Sequence, residues 1–148
     1  MIGAIAKSMK ETSAAGLLLV SLAACSAAAQ AASYTMYRDA GCGCCLKWAD
    51  HAAEGLDAEV IAESADMQMV KDLHGVPGQL RGCHTMIVEG YVIEGHVPAE
   101  AIRKLLRDKP TDVIGLAVPG MPVGSPGMEH QDLTEPYQVI AFGPKGQR

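Results

Sequence analysis

The sequence predicts one small α/β domain whose strands and helices follow the order β-α-β-α-β-β-α. Runs of alternating β-forming residues are separated by stretches in which apolar residues recur at helical spacing. Glycine or proline stands at the boundaries between many of these stretches. A length of 148 residues leaves room for a single core.

The first strand and the first helix are joined by a loop rich in glycine and cysteine. Residues 33–38 alternate β-forming side chains and predict a strand that runs into the loop at 39–45. Residues 46–53 have helical spacing and stop before Gly55, a residue that commonly ends helices. The cysteines of the loop therefore lie at the entrance of a helix.

The next predicted elements are a strand at 57–62 and a helix at 65–73. In this helix Met69, Val70 and Leu73 share one face, which we expect to be the buried one. A β-α-β-α order follows for the first half of the domain.

The second half begins with a hairpin and ends with a helix. Residues 84–89 and 91–94 read as paired strands that turn at Gly90. Pro98 suits the first turn of a helix that continues with an apolar stripe to Lys109. The complete order is thioredoxin-like, and it defines a domain at residues 33–110.

Residues 111–148 form a C-terminal extension rich in glycine, proline and methionine, with one further strand predicted at 137–142. The extension contains too many apolar residues for a free linker. We expect it to pack on the domain as an ordered loop that is able to cover a site.

Residues 1–31 have the pattern of an export signal. Lys7 and Lys10 precede an apolar run at 14–24, and small residues follow it. This run is shorter than the roughly 20 residues that span a bilayer, so no transmembrane segment is expected after processing. The prediction is a periplasmic protein.

The sequence offers two alternative cleavage sites for the leader. Leu22-Ala23-Ala24-Cys25 resembles a lipobox, which would make Cys25 the lipidated first residue of a protein anchored to the outer membrane. Ala29-Gln30-Ala31 instead fits the small-x-small rule of the ordinary signal peptidase. In both cases Cys25 is not expected to be a ligand.

The formal net charge is −5 and the chain has no stripe of clustered lysine and arginine. Nucleic acids and anionic lipids are bound largely through such clusters. Neither is expected as a partner.

Four cysteines follow the leader, namely Cys42, Cys44, Cys45 and Cys83. In an exported protein they can pair as structural disulfides. A disulfide among three thiols that lie within four residues would restrict the unfolded chain very little and would therefore stabilise the fold little. The helix entrance, in addition, favours anionic sulfur. The cluster therefore indicates metal binding or redox exchange. Thiolates suit Cu(I), zinc or an iron–sulfur cluster. Zinc prefers two separated cysteine pairs, which this spacing provides less well.

Several stretches of the chain, taken together, resemble the CopG-type family of bacterial exported copper-resistance proteins, formerly a domain of unknown function. They are Tyr37-Arg38-Asp39-Ala40-Gly41-Cys42-Gly43-Cys44-Cys45, Gly82-Cys83-His84-Thr85, Glu94-Gly95-His96-Val97-Pro98, and Gly115-Leu116-Ala117-Val118-Pro119-Gly120-Met121-Pro122 with Gly124-Ser125-Pro126-Gly127-Met128-Glu129. The resemblance implies a thioredoxin-like domain in which Cys42, Cys44, Cys45 and Cys83 bind copper and support copper redox change. The crowded thiolates themselves favour Cu(I) and the bridging of several copper ions. It implies copper ions and other periplasmic resistance or efflux proteins as partners.

Three further side chains are candidate secondary ligands. Met121 and Met128 are thioether donors in the extension, although a loop methionine is often mere packing. His84 is adjacent to Cys83, although it can equally be a structural histidine; His96 is a weaker candidate.

The alternative function is a thiol–disulfide oxidoreductase, with Cys42 as the attacking thiol and Cys45 as the resolving thiol. Against it, Cys44 would divert the disulfide, and Cys83-His84-Thr85 stands where true thioredoxins carry a cis-proline. The sequence does not decide whether the protein is an enzyme.

Overall fold

A computed structural model of the chain describes residues 31–148. The predicted leader, apart from its last residue, lies outside this range, and so does Cys25. Within the range, the chain forms three α-helices and a sheet of seven strands. No helix there combines the length and the apolar character that a bilayer span requires.

The elements before residue 110 follow the predicted order β-α-β-α-β-β-α, and the α/β class is confirmed. Most of these elements begin or end within a few residues of the predicted position, which is the usual uncertainty of helix and strand ends. The elements are β1 (Ala32–Arg38), α1 (Gly43–Leu56), β2 (Ala58–Ser64), α2 (Met67–Leu73), β3 (His84–Val88), β4 (Tyr91–Gly95) and α3 (Ala99–Asp108).

The C-terminal extension adds three strands to the same sheet: β5 (Gly115–Val118), β6 (Ile140–Gly143) and β7 (Gly146–Gln147). The strand order is β2-β1-β3-β4-β5-β6-β7. The predicted strand near the C-terminus corresponds to β6. The sequence did not predict β5, because its four residues are all buried and therefore show no alternation of polar and apolar side chains.

The strand directions place several chain segments at one edge of the sheet. β1 and β3 are antiparallel with Arg38 opposite His84, so the end of β1 lies beside the start of β3. β4 is antiparallel to β3 and parallel to β5, with Gly95 opposite Val118. The loops that follow β1, β4 and β5 and the residues that precede β3 therefore meet there.

The buried face of α2 is not the predicted one. Met67 and Lys71 are buried, whereas Met69 and Leu73 are 67% and 78% exposed. Asp66 caps the helix by accepting hydrogen bonds from the backbone N–H groups of the second and third helical residues. The prediction of the buried face was wrong because α2 buries a charged side chain, Lys71, and a search for apolar periodicity counts lysine as exposed.

The core has two parts on opposite faces of the sheet, as the alternation of neighbouring strand residues requires. The larger part packs α1 and α3 against the sheet around Trp48, which is fully buried. Trp48 Nε1 donates a 2.9 Å hydrogen bond to the carbonyl of Val97, just before α3. This bond ties the start of α3 to the first helix, close to the edge where the loops meet.

Candidate metal centre

Three cysteines surround the beginning of α1. Cys42 is the N-cap residue, and Cys44 and Cys45 lie in the first turn, so the predicted placement at a helix entrance is confirmed. Cys45 is fully buried, while Cys42 and Cys44 are half-buried. No side chain caps this helix end, and its unpaired backbone N–H groups favour negatively charged sulfur nearby.

The loop that carries Cys42 is braced by the last residue of β1. Arg38 Nη1 donates hydrogen bonds of 2.8 Å to the carbonyls of Asp39 and Ala40. The backbone N–H of Cys42 donates to the carbonyl of Asp39 at 3.1 Å. Since Arg38 pairs with His84 across the sheet, the same strand end brings Cys83 to this loop.

All four predicted cysteines come together. One sulfur atom from each of Cys42, Cys44, Cys45 and Cys83 lies within 4.8 Å of the others. Cys42 and Cys45 form a disulfide, and the Sγ atoms of Cys42 and Cys44 are 3.5 Å apart. Among the cysteines that the structure describes, Cys44 and Cys83 are free thiols. The cluster is thus present in a half-oxidised state.

Two imidazoles border the cluster on the side of Cys83. The Cys83 Sγ lies 3.1 Å from His96 Nε2 and 3.3 Å from His84 Nδ1. His96 Nδ1 donates a 2.7 Å hydrogen bond to the carbonyl of Pro126. A carbonyl only accepts, so the proton of a neutral His96 sits on Nδ1 and the Nε2 lone pair faces Cys83.

Burial sets the charge state of these groups. It raises the pKa of the Cys83 thiol to about 12, and the neighbouring Cys44 adds to the effect. Burial also lowers the pKa of His96, and it lowers the pKa of His84 well below its ordinary value. At neutral pH Cys83 is therefore an uncharged thiol beside uncharged rings, and a metal cation would bind by displacing the thiol proton.

A buried ion pair holds the turn that precedes Cys83. Lys71 Nζ donates to Glu94 Oε1 at 2.6 Å and to Thr85 Oγ1 at 3.0 Å. Glu94 Oε1 also accepts from the backbone N–H of Gly82 at 2.6 Å, and Oε2 accepts from the Thr85 hydroxyl at 2.6 Å. All of these side chains are buried. The pair therefore connects α2, β3 and β4 directly to the residue before Cys83.

The loop after β5 lies against the cluster. Pro126 receives the His96 hydrogen bond. At Gly127, which has φ of +80°, an added Cβ would lie 2.7 Å from the backbone N of Trp48 and 2.9 Å from the carbonyl of Cys44. Only glycine permits so close an approach of the loop to the first turn of α1.

The candidate secondary ligands differ in how near they lie to the cysteines and in how exposed they are. Met128 and His130 line a shallow pocket of about 400 Å³ together with Cys44. Met121 is 54% exposed. His84 is fully buried beside Cys83, and its ring lies against that of Trp48 at a tilt of 40°, with centroids 4.3 Å apart.

The structure places His96, a weaker ligand candidate in the sequence, 3.1 Å from the Cys83 sulfur, and the sequence did not single out Lys71 and Glu94. His96 lies in one of the stretches on which the family resemblance rests, and that was the signal available. Lys71 and Glu94 are 23 residues apart, and no local pattern pairs them.

The fold and the cluster define a class: an α/β protein that gathers cysteine and histidine side chains, the donor types that suit soft and borderline metal ions, at one edge of its sheet. The family model described as "Protein of unknown function, DUF411" matches residues 80–128. A search of the curated proteins gave no match.

Two solved structures match over most of the chain. "Copper resistance protein copG- Form 1" is 43% identical, with a TM-score of 0.72, and the match covers 79% of this chain and 92% of that one. "Copper resistance protein copG- Form 2" is 44% identical, also with a TM-score of 0.72, and the match covers 80% and 94%. The chain belongs to the CopG family of copper resistance proteins.

Proposed function

We propose that this protein serves copper resistance by binding Cu(I) through the thiolates of Cys42, Cys44, Cys45 and Cys83. The observation that carries the proposal is the meeting of these four sulfur atoms within 4.8 Å of one another. The 43% identity to a copper resistance protein supports copper as the metal.

The donor set favours Cu(I) over zinc on chemical grounds. Thiolate is a soft ligand, and Cu(I) accepts the low and irregular coordination that neighbouring thiolates offer. Zinc requires a near-tetrahedral arrangement. Three of the four sulfurs come from one helix entrance, where adjacent thiolates are placed to bridge several copper ions.

Binding by all four cysteines requires that the Cys42–Cys45 disulfide be opened. An external dithiol reductant supplies the two electrons and two protons and is itself oxidised to a disulfide, which leaves two thiols at Cys42 and Cys45, whose protons then give way to the metal. A change of redox state at this pair therefore opens and closes the four-cysteine site.

Met128 and His84 are proposed as secondary ligands, since both lie beside the cysteines. Met121, with its exposed side chain, is proposed as a donor for a metal ion in transit. Copper ions are the ligand, and periplasmic copper-resistance or efflux proteins are the proposed protein partners.

Export of the protein is part of the proposal and has its own test. The mature protein recovered from a Gram-negative host is expected to begin either at a lipidated Cys25 or at Ala32. Intact mass spectrometry of the periplasmic and membrane fractions distinguishes the two. Recovery of the unprocessed chain from the cytoplasm alone would contradict export.

A second candidate function is thiol–disulfide exchange, and the disulfide between Cys42 and Cys45 favours it. Cys42 is half-buried and Cys45 is fully buried, which is the arrangement expected of an attacking and a resolving thiol. The two functions make different demands on Cys83, because exchange between Cys42 and Cys45 does not need it.

The test is copper stoichiometry in the Cys83→Ser variant. The purified protein is reduced, loaded anaerobically with excess Cu(I), and freed of loose metal. Copper and zinc per chain are then measured by mass spectrometry, with site-resolved alkylation of the cysteines. We expect two or more copper ions and protection of all four thiols in the wild type, and loss of most of this copper in Cys83→Ser.

The matched control is Met69→Leu, which removes an exposed sulfur-containing side chain on α2, outside the four-cysteine set, and is expected to keep the full copper content. Cys83→Ser should also retain any exchange between Cys42 and Cys45. Full copper retention by Cys83→Ser would remove Cys83 from the site. A wild type that retains no copper but exchanges its disulfide with added thiols would make the oxidoreductase the better description.

A further inference from the structure

Strand β2 lies at one end of the sheet and has a free backbone edge. The strand order begins with β2, which pairs in parallel with β1 over all seven of its residues. Within residues 31–148, no other segment pairs with the opposite edge of β2. The backbone N–H and C=O groups along that edge are therefore available to an added strand.

One face of β2 is covered by the domain and the other is not. Alternate residues of a strand point to opposite faces of the sheet. Val60 and Ala62 pack against the larger core, on the side of α1. Glu59, Ile61 and Glu63 point to the opposite face and are exposed, Ile61 by 42%. A partner that reaches the free edge therefore also meets an apolar side chain between two carboxylates.

Helix α2 lies on this second face and adds further exposed apolar side chains to it. Lys71 of the helix donates to Thr85 of β3, whose side chain alternates with that of Met86 in the larger core. Leu73 and Met69, also of α2, are the two most exposed large apolar side chains in the described part of the chain. The face thus carries apolar side chains on both β2 and α2 that the domain itself does not cover.

The segment that contains β2 concentrates negative charge. Residues 54–66 include no lysine or arginine but five carboxylates, namely Glu54, Asp57, Glu59, Glu63 and Asp66. None of the ion pairs formed between described residues involves any of the five. The domain therefore leaves this charge without a counter-ion, and the charge complements a basic partner.

A second copy of the chain does not fit this edge. If two β2 strands paired antiparallel about Ile61, Glu59 of each would stand opposite Glu63 of the other. In a parallel pair in register, each glutamate would stand opposite itself. Like charges directly opposite each other are destabilising, and charged side chains on edge strands commonly prevent such self-pairing. The edge remains open to a strand of opposite charge.

We propose that β2 is a docking edge for an extended basic segment of a partner protein, which adds to the sheet as an eighth strand. Opposite Glu59, Ile61 and Glu63 the segment presents a basic, an apolar and a second basic residue. It therefore has the pattern basic-x-apolar-x-basic in either strand direction. Main-chain hydrogen bonds supply affinity, and the alternate side chains select the segment.

The position of β2 relates this docking edge to the cysteines without involving them in it. Ser64, at the end of β2, pairs with Arg38, the residue that braces the loop of Cys42. A segment docked along β2 is therefore held next to the sheet edge at which the cysteines meet. The docking itself does not depend on which metal the cysteines bind.

The test uses a synthetic peptide, acetyl-Thr-Lys-Val-Ile-Val-Lys-Thr-amide, which has the required alternation. It is titrated at low ionic strength into the purified, isotope-labelled protein, and the chemical shifts of the backbone amides are followed by NMR. We expect shift changes concentrated at residues 58–64. The affinity should fall as salt is added, because exposed ion pairs are screened. An absence of shift changes in β2 at low ionic strength would overturn the proposal.

The variant Glu59→Lys/Glu63→Lys is expected to weaken peptide binding about tenfold or more, since two attractive cross-strand pairs become repulsive. Both side chains are exposed, so the fold should be unaffected. The matched control, Asp50→Lys/Asp132→Lys, makes the same change of net charge at two other exposed positions and should bind as the wild type does. Ile61→Thr keeps a β-branched residue and should weaken binding about two- to fivefold.

Two changes to the peptide test the mode of binding. The version with glutamate in place of both lysines should not bind. N-methylation of the two valines blocks one edge of the added strand, and N-methylation of the lysines and the isoleucine blocks the other, so only one of these peptides should retain affinity.

Several results would contradict docking of a basic strand at β2. They are wild-type affinity in Glu59→Lys/Glu63→Lys, equal binding of the lysine and glutamate peptides, and equal affinity of the two N-methylated peptides. Shifts in β2 that depend on protein concentration without peptide, together with a dimer in sedimentation, would assign the edge to a second copy and would equally overturn the proposal.

Discussion

Replacing Lys71 by methionine is expected to lower the free energy of unfolding by about 3–5 kcal/mol, because it leaves the carboxylate of Glu94 buried without its counter-ion. Lys71 is 5% exposed and Glu94 is 0% exposed, so solvent cannot take over the role of the lysine. Methionine preserves most of the side-chain volume and therefore isolates the charge. Thermal unfolding should show a midpoint lower by roughly 10 °C or more.

The double variant Lys71→Met/Glu94→Gln is expected to recover most of this loss, since neither charge is then buried alone and the glutamine carbonyl can still accept from Gly82. Lys104→Met, which removes an exposed partner of Asp108, should leave the unfolding midpoint unchanged. If the double variant is as unstable as Lys71→Met, the loss does not come from an unpaired Glu94.

The same ion pair explains why the sequence predicted the wrong face of α2. The apolar residues at 69, 70 and 73 share a helical stripe, and a lysine is normally counted as exposed. Its burial depends on the carboxylate of Glu94, which the β3–β4 hairpin holds beside it. The pairing of Lys71 with Glu94 is set by the tertiary structure, so no pattern of neighbouring residues predicts it.

The sequence predicted correctly those features that depend on the conformational preferences of neighbouring residues. Gly90, with φ of +86°, turns the predicted hairpin, and Pro98 precedes the predicted helix α3. The dense spacing of Cys42, Cys44 and Cys45 places them at the start of α1 without any long-range information. β5 was missed because a short strand buried on both sides lacks the alternation that reveals a strand.

The meeting of Cys83 and His96 with these cysteines follows from strand register instead. Arg38 pairs with His84, and Gly95 pairs with Val118, so the neighbours of these residues share one sheet edge. The order β-α-β-α-β-β-α is compatible with this edge but does not specify which residues face each other. The hydrogen bond from His96 to Pro126 is still harder to predict from the sequence, because it depends on how the C-terminal extension folds back onto the domain.

Glycine at position 82 is what allows the turns that carry Cys83 and His96 to lie against each other. A Cβ at Gly82 would lie 2.9 Å from the Cα of Gly95 and 3.4 Å from its backbone N. These are backbone atoms, which cannot move aside as the end of a side chain can. The residue after each glycine supplies a donor atom, and the two donors are 3.1 Å apart.

Gly82→Ala is therefore expected to destabilise the protein by about 1–3 kcal/mol through overpacking and, in addition, to weaken Cu(I) binding about tenfold or more, because Cys83 is displaced from the other sulfurs. Urea unfolding and competition with a Cu(I) chelator measure the two effects separately. Gly78→Ala, where no atom lies within 4 Å of the added Cβ, is the control for a glycine replacement in the same loop. A Gly82→Ala protein that loses stability but matches Gly78→Ala in copper affinity would show that close packing of the two turns serves the fold and does not position Cys83.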